Sequence, residues 1–183
     1  MIKSNEWSFS GGKRDKAVFL IALIFSIFQI YTATFNPIGT QIVRAIHVGF
    51  LVLLVMMMLP GRFKFLSLIL GVATMGTGVY QWIFEGDLIF RSGDLNDTDM
   101  VVGIVALFAV FDSARRIMGW ALPGICAAFL GYALLGEYLP QPLGHRGYAF
   151  DQVIEQMAFG TEGIYGVPTY VSSSYIFLFI LFG

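Results

Sequence analysis

The chain has little with which to do covalent chemistry. Its 183 residues include one cysteine, Cys126, and two histidines, His47 and His145. A single cysteine can neither close a disulfide nor build a thiolate metal site, and its place inside an apolar run assigns Cys126 to small-residue packing. No acid stands near either histidine at metal-ligand or triad spacing, and no glycine loop ends in Lys-Ser or Lys-Thr to cradle phosphate. Charge is scarce as well. Asp, Glu, Lys and Arg make up 13% of the residues, where a soluble domain carries about 25%, and the net charge of −1 offers no basic field for nucleic acid. The expectation is a protein that is not an enzyme, has no catalytic, cofactor or metal site, and takes no nucleic-acid partner.

What the chain has in excess is apolar surface, 57% of its residues against roughly 45–50% in a soluble domain. A helix crosses about 30 Å of hydrocarbon with about 20 mostly apolar residues, and five or six segments meet that length. The first, residues 17–35, ends at Asn36-Pro37, where proline turns its predecessor out of helix. The second, 42–59, closes at Pro60-Gly61 and the third runs 65–84, so the two predict a tight hairpin. Residues 85–99 hold five acids against one arginine, Arg91, and read as a solvated loop. The fourth span covers 100–111 and reaches toward Asp112; the fifth covers 117–135, with Pro123 inside it. Phe150, Val153, Ile154 and Met157 then recur at helical spacing and predict an interfacial amphipathic helix near 148–159. Residues 167–183 are apolar again and stop in mid-element. The expected fold is all-α, a polytopic membrane bundle of about five to six transmembrane helices.

Residues 1–16 carry Lys3, Lys13, Arg14 and Lys16 ahead of the first span, a pattern shared with signal peptides. The apolar run is too long for a signal core and no small-residue cleavage site follows, so it reads as a retained span behind a cytoplasmic segment. Arg62 and Lys64 lie between spans two and three, Arg115 and Arg116 between four and five. All three clusters fall on one side, which the positive-inside rule makes cytoplasmic. Small residues in span three (Gly71, Gly76, Gly78) and span five (Gly124, Ala127, Ala128, Gly131) either let helices approach closely or are merely tolerated in lipid.

Ionisable residues inside spans are the first candidates for function, because a charge at mid-bilayer is costly. Arg44 and His47 share a helix face at three-residue spacing. They fit an ion or proton path, or else snorkelling to headgroups and pairing with the acidic loop. Asp112 stands three and four residues before Arg115 and Arg116, which suits an intrahelical ion pair and anchoring. Trp82, Trp120 and Tyr80 fall near span ends, where amphipathic rings favour the interface. The stretch from Gly160 through Glu162, Gly163, Gly166 and Pro168 to Ser172 and Ser173 has the glycine, proline and hydroxyl content of an interrupted helix that exposes backbone to substrate and ions. A plain loop entering a span explains it equally well. Ser67, Thr74 and Thr77 are too few to line a water-filled pore.

The runs Gln29-Ile30-Tyr31-Thr32-Ala33, Arg44-Ala45-Ile46-His47-Val48-Gly49-Phe50, Arg115-Arg116-Ile117-Met118-Gly119-Trp120-Ala121-Leu122-Pro123, His145-Arg146-Gly147-Tyr148 and Thr161-Glu162-Gly163-Ile164-Tyr165-Gly166-Val167-Pro168 resemble the start of fused permeases of the tripartite ATP-independent periplasmic (TRAP) transporters, in the branch served by TAXI-type binding proteins. The resemblance implies a small-subunit-like membrane domain at 17–116 and, at 117–183, a linker helix with the opening of the large permease domain. It also implies ion-gradient-driven uptake of an organic acid or similar solute across a bacterial or archaeal inner membrane, with sodium as coupling ion and no cofactor. The partners would be a large permease subunit or continuation, a periplasmic solute-binding protein and the bilayer. Fused permeases continue for several hundred residues beyond the position of Gly183, so most of the ion and substrate site would lie outside this chain. The competing expectation is a stand-alone membrane protein, an oligomeric channel or an assembly factor.

Overall fold

A computed structural model of the chain describes residues 12–35 and 37–183, and the described residues form helices and turns with no strand. The first eleven residues of the expected cytoplasmic segment, Lys3 among them, lie outside this range. Helices α1 (Lys13–Phe35), α2 (Thr40–Met58) and α3 (Lys64–Ile83) are followed by a short α4 (Glu85–Phe90), then α5 (Asp97–Met118) and α6 (Ala121–Leu135), which a 3₁₀ turn extends to Tyr138. After a turn region come α7 (Phe150–Ala158) and a last helical stretch of α8 (Val167–Val171), a π-helical turn (Ser172–Ile176) and α9 (Phe177–Phe182).

Among the described residues, four helices are long and apolar enough to cross a membrane: α1, α2, α3 and Ala121–Tyr138. The expected fourth span is part of a longer helix. α5 has 22 residues, about 33 Å at 1.5 Å per residue, but Asp97 and Asp99 stand in its first turn and Arg115 and Arg116 in its last, which suits the helix dipole at both ends. It begins with a capping box: Asp99 N–H donates to Asn96 Oδ1 at 2.8 Å, and Asn96 N–H to Asp99 Oδ2 at 3.1 Å. It ends at Gly119, whose φ of +78° only glycine adopts without strain. That break separates α5 from α6, and Pro123 sits in the first turn of α6, where its missing N–H has no helical partner to lose.

α2 is the central helix and packs against α1, α3, α5 and the last helical stretch. Its contact with α3 runs through glycines at both faces. A Cβ on Gly71 would stand 3.1 Å from a Leu53 side-chain carbon, one on Gly78 3.0 Å from the Ala45 carbonyl oxygen, and one on Gly49 3.1 Å from the Met75 backbone. Gly76, Gly124 and Gly131 face nothing within 4 Å, so the small-residue pattern marks a helix contact in α3 and none in α6. Cys126 likewise points outward instead of packing.

Two further expectations change. The acidic segment 85–99 is not a solvated loop throughout, because it contains α4 and because Asp99 is 0% exposed. The Tyr80 hydroxyl donates to Asp99 at 2.6 Å and Arg91 Nε lies 3.4 Å away, so Tyr80 holds an acid and is not only an interface ring. The amphipathic helix forms at α7, but protein covers its apolar side: Ile154 and Ala158 are buried against Gly103 of α5, where a Cβ has no room.

Arg14 and Arg116 meet at one end of the bundle, where α2 turns into α3. Arg14 donates to the Met57 and Met58 carbonyls at the end of α2, and Arg116 donates to the Leu59 carbonyl (2.7 Å) and Ser67 Oγ (3.0 Å) at the α2–α3 turn. Asp112 pairs with Arg115 at 2.5 Å and with Arg116 at 2.6 Å, as its spacing predicts.

Candidate functional site

α1 and α2 are almost wholly apolar, yet each sends one buried polar side chain to the same point. Gln29 of α1 is 1% exposed and His47 of α2 is 3% exposed, and both meet the π-helical turn of the last stretch. Three serines in a row weaken regular helix there, since hydroxyls compete for backbone carbonyls: Ser173 Oγ and Ser174 Oγ both donate to Tyr170 O, at 3.1 and 2.6 Å. The Phe177 N–H bonds to Ser174 O, three residues back, and the Ser173 carbonyl takes its hydrogen bond from Gln29 Nε2 instead.

One direction of bonding follows. A carbonyl only accepts, so Gln29 turns its amide nitrogen to Ser173 and its oxygen, Oε1, to His47 Nδ1 at 3.1 Å. Oε1 also only accepts, so Nδ1 carries the imidazole proton. In the neutral imidazole Nε2 is then the acceptor for the Ser172 hydroxyl at 3.2 Å. The chain Ser172 to His47 to Gln29 to Ser173 links three helices. Phe25 packs on the imidazole, with ring centroids 5.2 Å apart.

A second layer of amides lies toward the end of the bundle opposite the basic one. Gln41 of α2 donates to Phe159 O and Gln81 of α3 to Ala158 O at 3.2 Å. Both carbonyls belong to the C-terminal end of α7, where helical partners run out. Buried Tyr165 follows on the next turn, and desolvation pushes its phenol above the ordinary range. Beside these amides opens a cleft of about 1240 Å³ whose charged lining is Glu85, Arg146, Glu155 and Glu162. Glu155 is already bonded by Gly93 N–H at 2.7 Å and Ser92 Oγ at 3.0 Å.

The residues singled out in the sequence divide accordingly. Ser172 and Ser173 are in the seam with His47. Glu162 lines the cleft and does not reach them. Gly163, Gly166 and Pro168 shape the entry to the last helix: a Cβ on Gly163 would collide with the Gln156 and Met157 backbone, Gly166 caps α8 and donates to Gly163 O at 3.1 Å, and Pro168 occupies its first turn. Arg44 and His47 do not form charge pairs and do not reach the acidic segment; Arg44 donates to Tyr165 O at 2.8 Å and its guanidinium lies 4.8 Å over the Tyr170 ring. Gln29, Gln41 and Gln81 are the residues that a search for ionisable groups passes over, although a lone amide in an apolar run is itself the signal. Ser67, Thr74 and Thr77 bond to backbone oxygens of their own helix, at Phe63, Leu70 and Thr74. Among the described residues no three His, Cys, Asp or Glu side chains come together as metal ligands would.

The seam therefore joins two largely apolar helices to an irregular third, and none of its four residues lines the cleft. Comparison of the chain with protein-family models, with curated proteins and with solved structures finds no match.

Proposed function

We propose that this chain is the scaffold part of an ion-gradient-driven secondary transporter that takes up an organic acid or similar small solute. The observation that carries the reading is the seam of Gln29 and His47 against the π-helical turn at Ser172–Ile176. Backbone polar groups out of regular helix are tolerated at membrane depth only where protein or a water-filled cavity meets them, and transporters use such interrupted helices where solute and ions bind. A helix break held by an amide from α1 and an imidazole from α2, the helix that packs closely on α3, has the form of a frame carrying one irregular element. The resemblance of the motif runs to TRAP permeases of the TAXI branch supports the same reading.

In that reading the bundle is polytopic, with α5 and the stretch 167–182 as spans besides the four apolar helices, six in all. Residues 17–116 form the frame, and 117–183 link it to a large permease subunit or continuation. The end gathering Arg14, Arg62, Lys64 and Arg116 is cytoplasmic, in the inner membrane of a bacterium or archaeon. The cleft end then faces a periplasmic solute-binding protein, and sodium is the coupling ion.

The test is uptake of labelled mono- and dicarboxylates by whole cells with the gene deleted and restored. Uptake of one acid that vanishes on deletion, returns on restoration and collapses when an ionophore dissipates the sodium gradient supports the reading. Wild-type uptake of every acid by the deletion strain, with ion conductance from the purified chain in planar bilayers, replaces it with the oligomeric channel.

A further inference from the structure

Arg44 is a cation whose best hydrogen-bonding edge has no partner. It lies in the second turn of α2, near the positive end of that helix dipole, where a cation without an anion is disfavoured. Nη1 is used by the Tyr165 carbonyl at 2.8 Å, and the Tyr170 ring covers one face of the guanidinium, 4.8 Å from Cζ. Nε is shielded from solvent and makes no hydrogen bond. Nη2 makes none either and is not sealed off. Among the described residues no carboxylate comes within 4.0 Å of Arg44: Asp99 is engaged by Arg91 and Tyr80, Glu155 by Ser92 and Gly93, and Glu85 and Glu162 line the cleft without reaching Arg44.

Nε–H and Nη2–H of an arginine point the same way, side by side, and match two oxygens of one carboxylate or phosphate. A buried N–H without an acceptor is rare in a folded protein. The Tyr165 carbonyl takes Nη1 and the Tyr170 ring covers one face, which leaves the Nε–Nη2 edge without a hydrogen-bond partner, Nη2 being the end open to an incoming oxygen. We propose that Arg44 is an oxyanion-binding site, taking a carboxylate or phosphate group bidentately through Nε and Nη2, with Tyr170 as its aromatic wall. The oxyanion can belong to a soluble acid or to an anionic lipid headgroup. The site stands on the guanidinium geometry and does not need the transport reading.

The experiment uses the full chain in two kinds of nanodisc. In phosphatidylcholine discs, succinate and inorganic phosphate are titrated at constant ionic strength against chloride while the unfolding midpoint is followed. In discs containing phosphatidylglycerol, retained lipid is counted by native mass spectrometry. A saturable rise in midpoint that Arg44→Gln abolishes, and that Arg44→Lys shifts to at least tenfold higher anion concentration, assigns a soluble oxyanion; Lys presents no side-by-side pair of donors. Retention of phosphatidylglycerol by wild type and its loss in both variants, without a response to soluble anions, assigns a lipid headgroup. Arg146→Gln, at the neighbouring cleft, is the control and leaves both readouts unchanged. If Arg44→Gln does not fold, the Arg44→Lys comparison decides by itself. Anion response and lipid retention equal in wild type and Arg44→Lys overturn the proposal.

Discussion

Gln29 Oε1 stands 3.1 Å from His47 Nδ1, and because the same amide gives its nitrogen to the Ser173 carbonyl, the contact sets both the amide orientation and the imidazole tautomer. Replacing Gln29 by Leu leaves the Nδ1–H and the Ser173 oxygen without partners in an apolar setting. Interhelical hydrogen bonds in membranes contribute about 1–2 kcal/mol at the upper end, so Gln29→Leu lowers unfolding stability in detergent by about that amount. His47→Asn recovers part of the loss in wild-type background relative to His47→Leu. An unchanged midpoint for Gln29→Leu would remove the seam as a structural element.

The glycines of α3 separate by direction. Gly78→Ala puts a methyl 3.0 Å from the Ala45 carbonyl and Gly71→Ala puts one 3.1 Å from Leu53; pushing packed helices apart costs about 1–3 kcal/mol. Gly76 faces open space, and Gly76→Ala is neutral or stabilising by up to about 1 kcal/mol through helix propensity. Equal effects at the three positions in a thermal scan would contradict the α2–α3 contact.

Tyr80, Arg91 and Asn96 all bond one buried carboxylate, Asp99. In a double-mutant cycle, Tyr80→Phe and Asp99→Asn are non-additive by about 1 kcal/mol, within the range for groups sharing a network. Additive losses would mean that the hydroxyl and the acid act separately.

Arg116 bonds Asp112, the Leu59 carbonyl and Ser67 together. A lysine keeps the charge but loses the planar fork. Arg116→Lys therefore destabilises by about 1 kcal/mol and Arg116→Ala by about 2 kcal/mol, on the scale of charge-assisted hydrogen bonds. Restoration to wild-type stability by Lys would reduce Arg116 to a surface charge.

Topology is open to thiol labelling. In a Cys126→Ser background, Asp94→Cys lies on the exposed turn before α5, next to but not part of the Asn96 cap. An impermeant maleimide added to intact cells labels it if the cleft end faces the periplasm. Protection there, with labelling only after lysis, would invert the orientation.

Hydropathy and punctuation alone were enough for an all-helical chain, for spans at 17–35, 42–59 and 65–84 that fall within a few residues of the helices at 13–35, 40–58 and 64–83, and for the ion pairs of Asp112 with Arg115 and Arg116. These depend on local properties: the length of an apolar run, a proline or glycine at its end, a spacing of three or four residues within one helix. Sequence also marked Ser172 and Ser173, as hydroxyls beside a glycine- and proline-rich helix break. Only tertiary structure decided what those serines meet. Gln29 lies 144 residues from Ser173 in the chain, and nothing local to either signals the other. In the same way, burial of Asp99 beneath Tyr80, the covering of α7 by α5, and the difference between Gly78 and Gly76 follow from which helix faces which. Hydropathy says that a residue avoids water; it does not say whether lipid or another helix takes water's place.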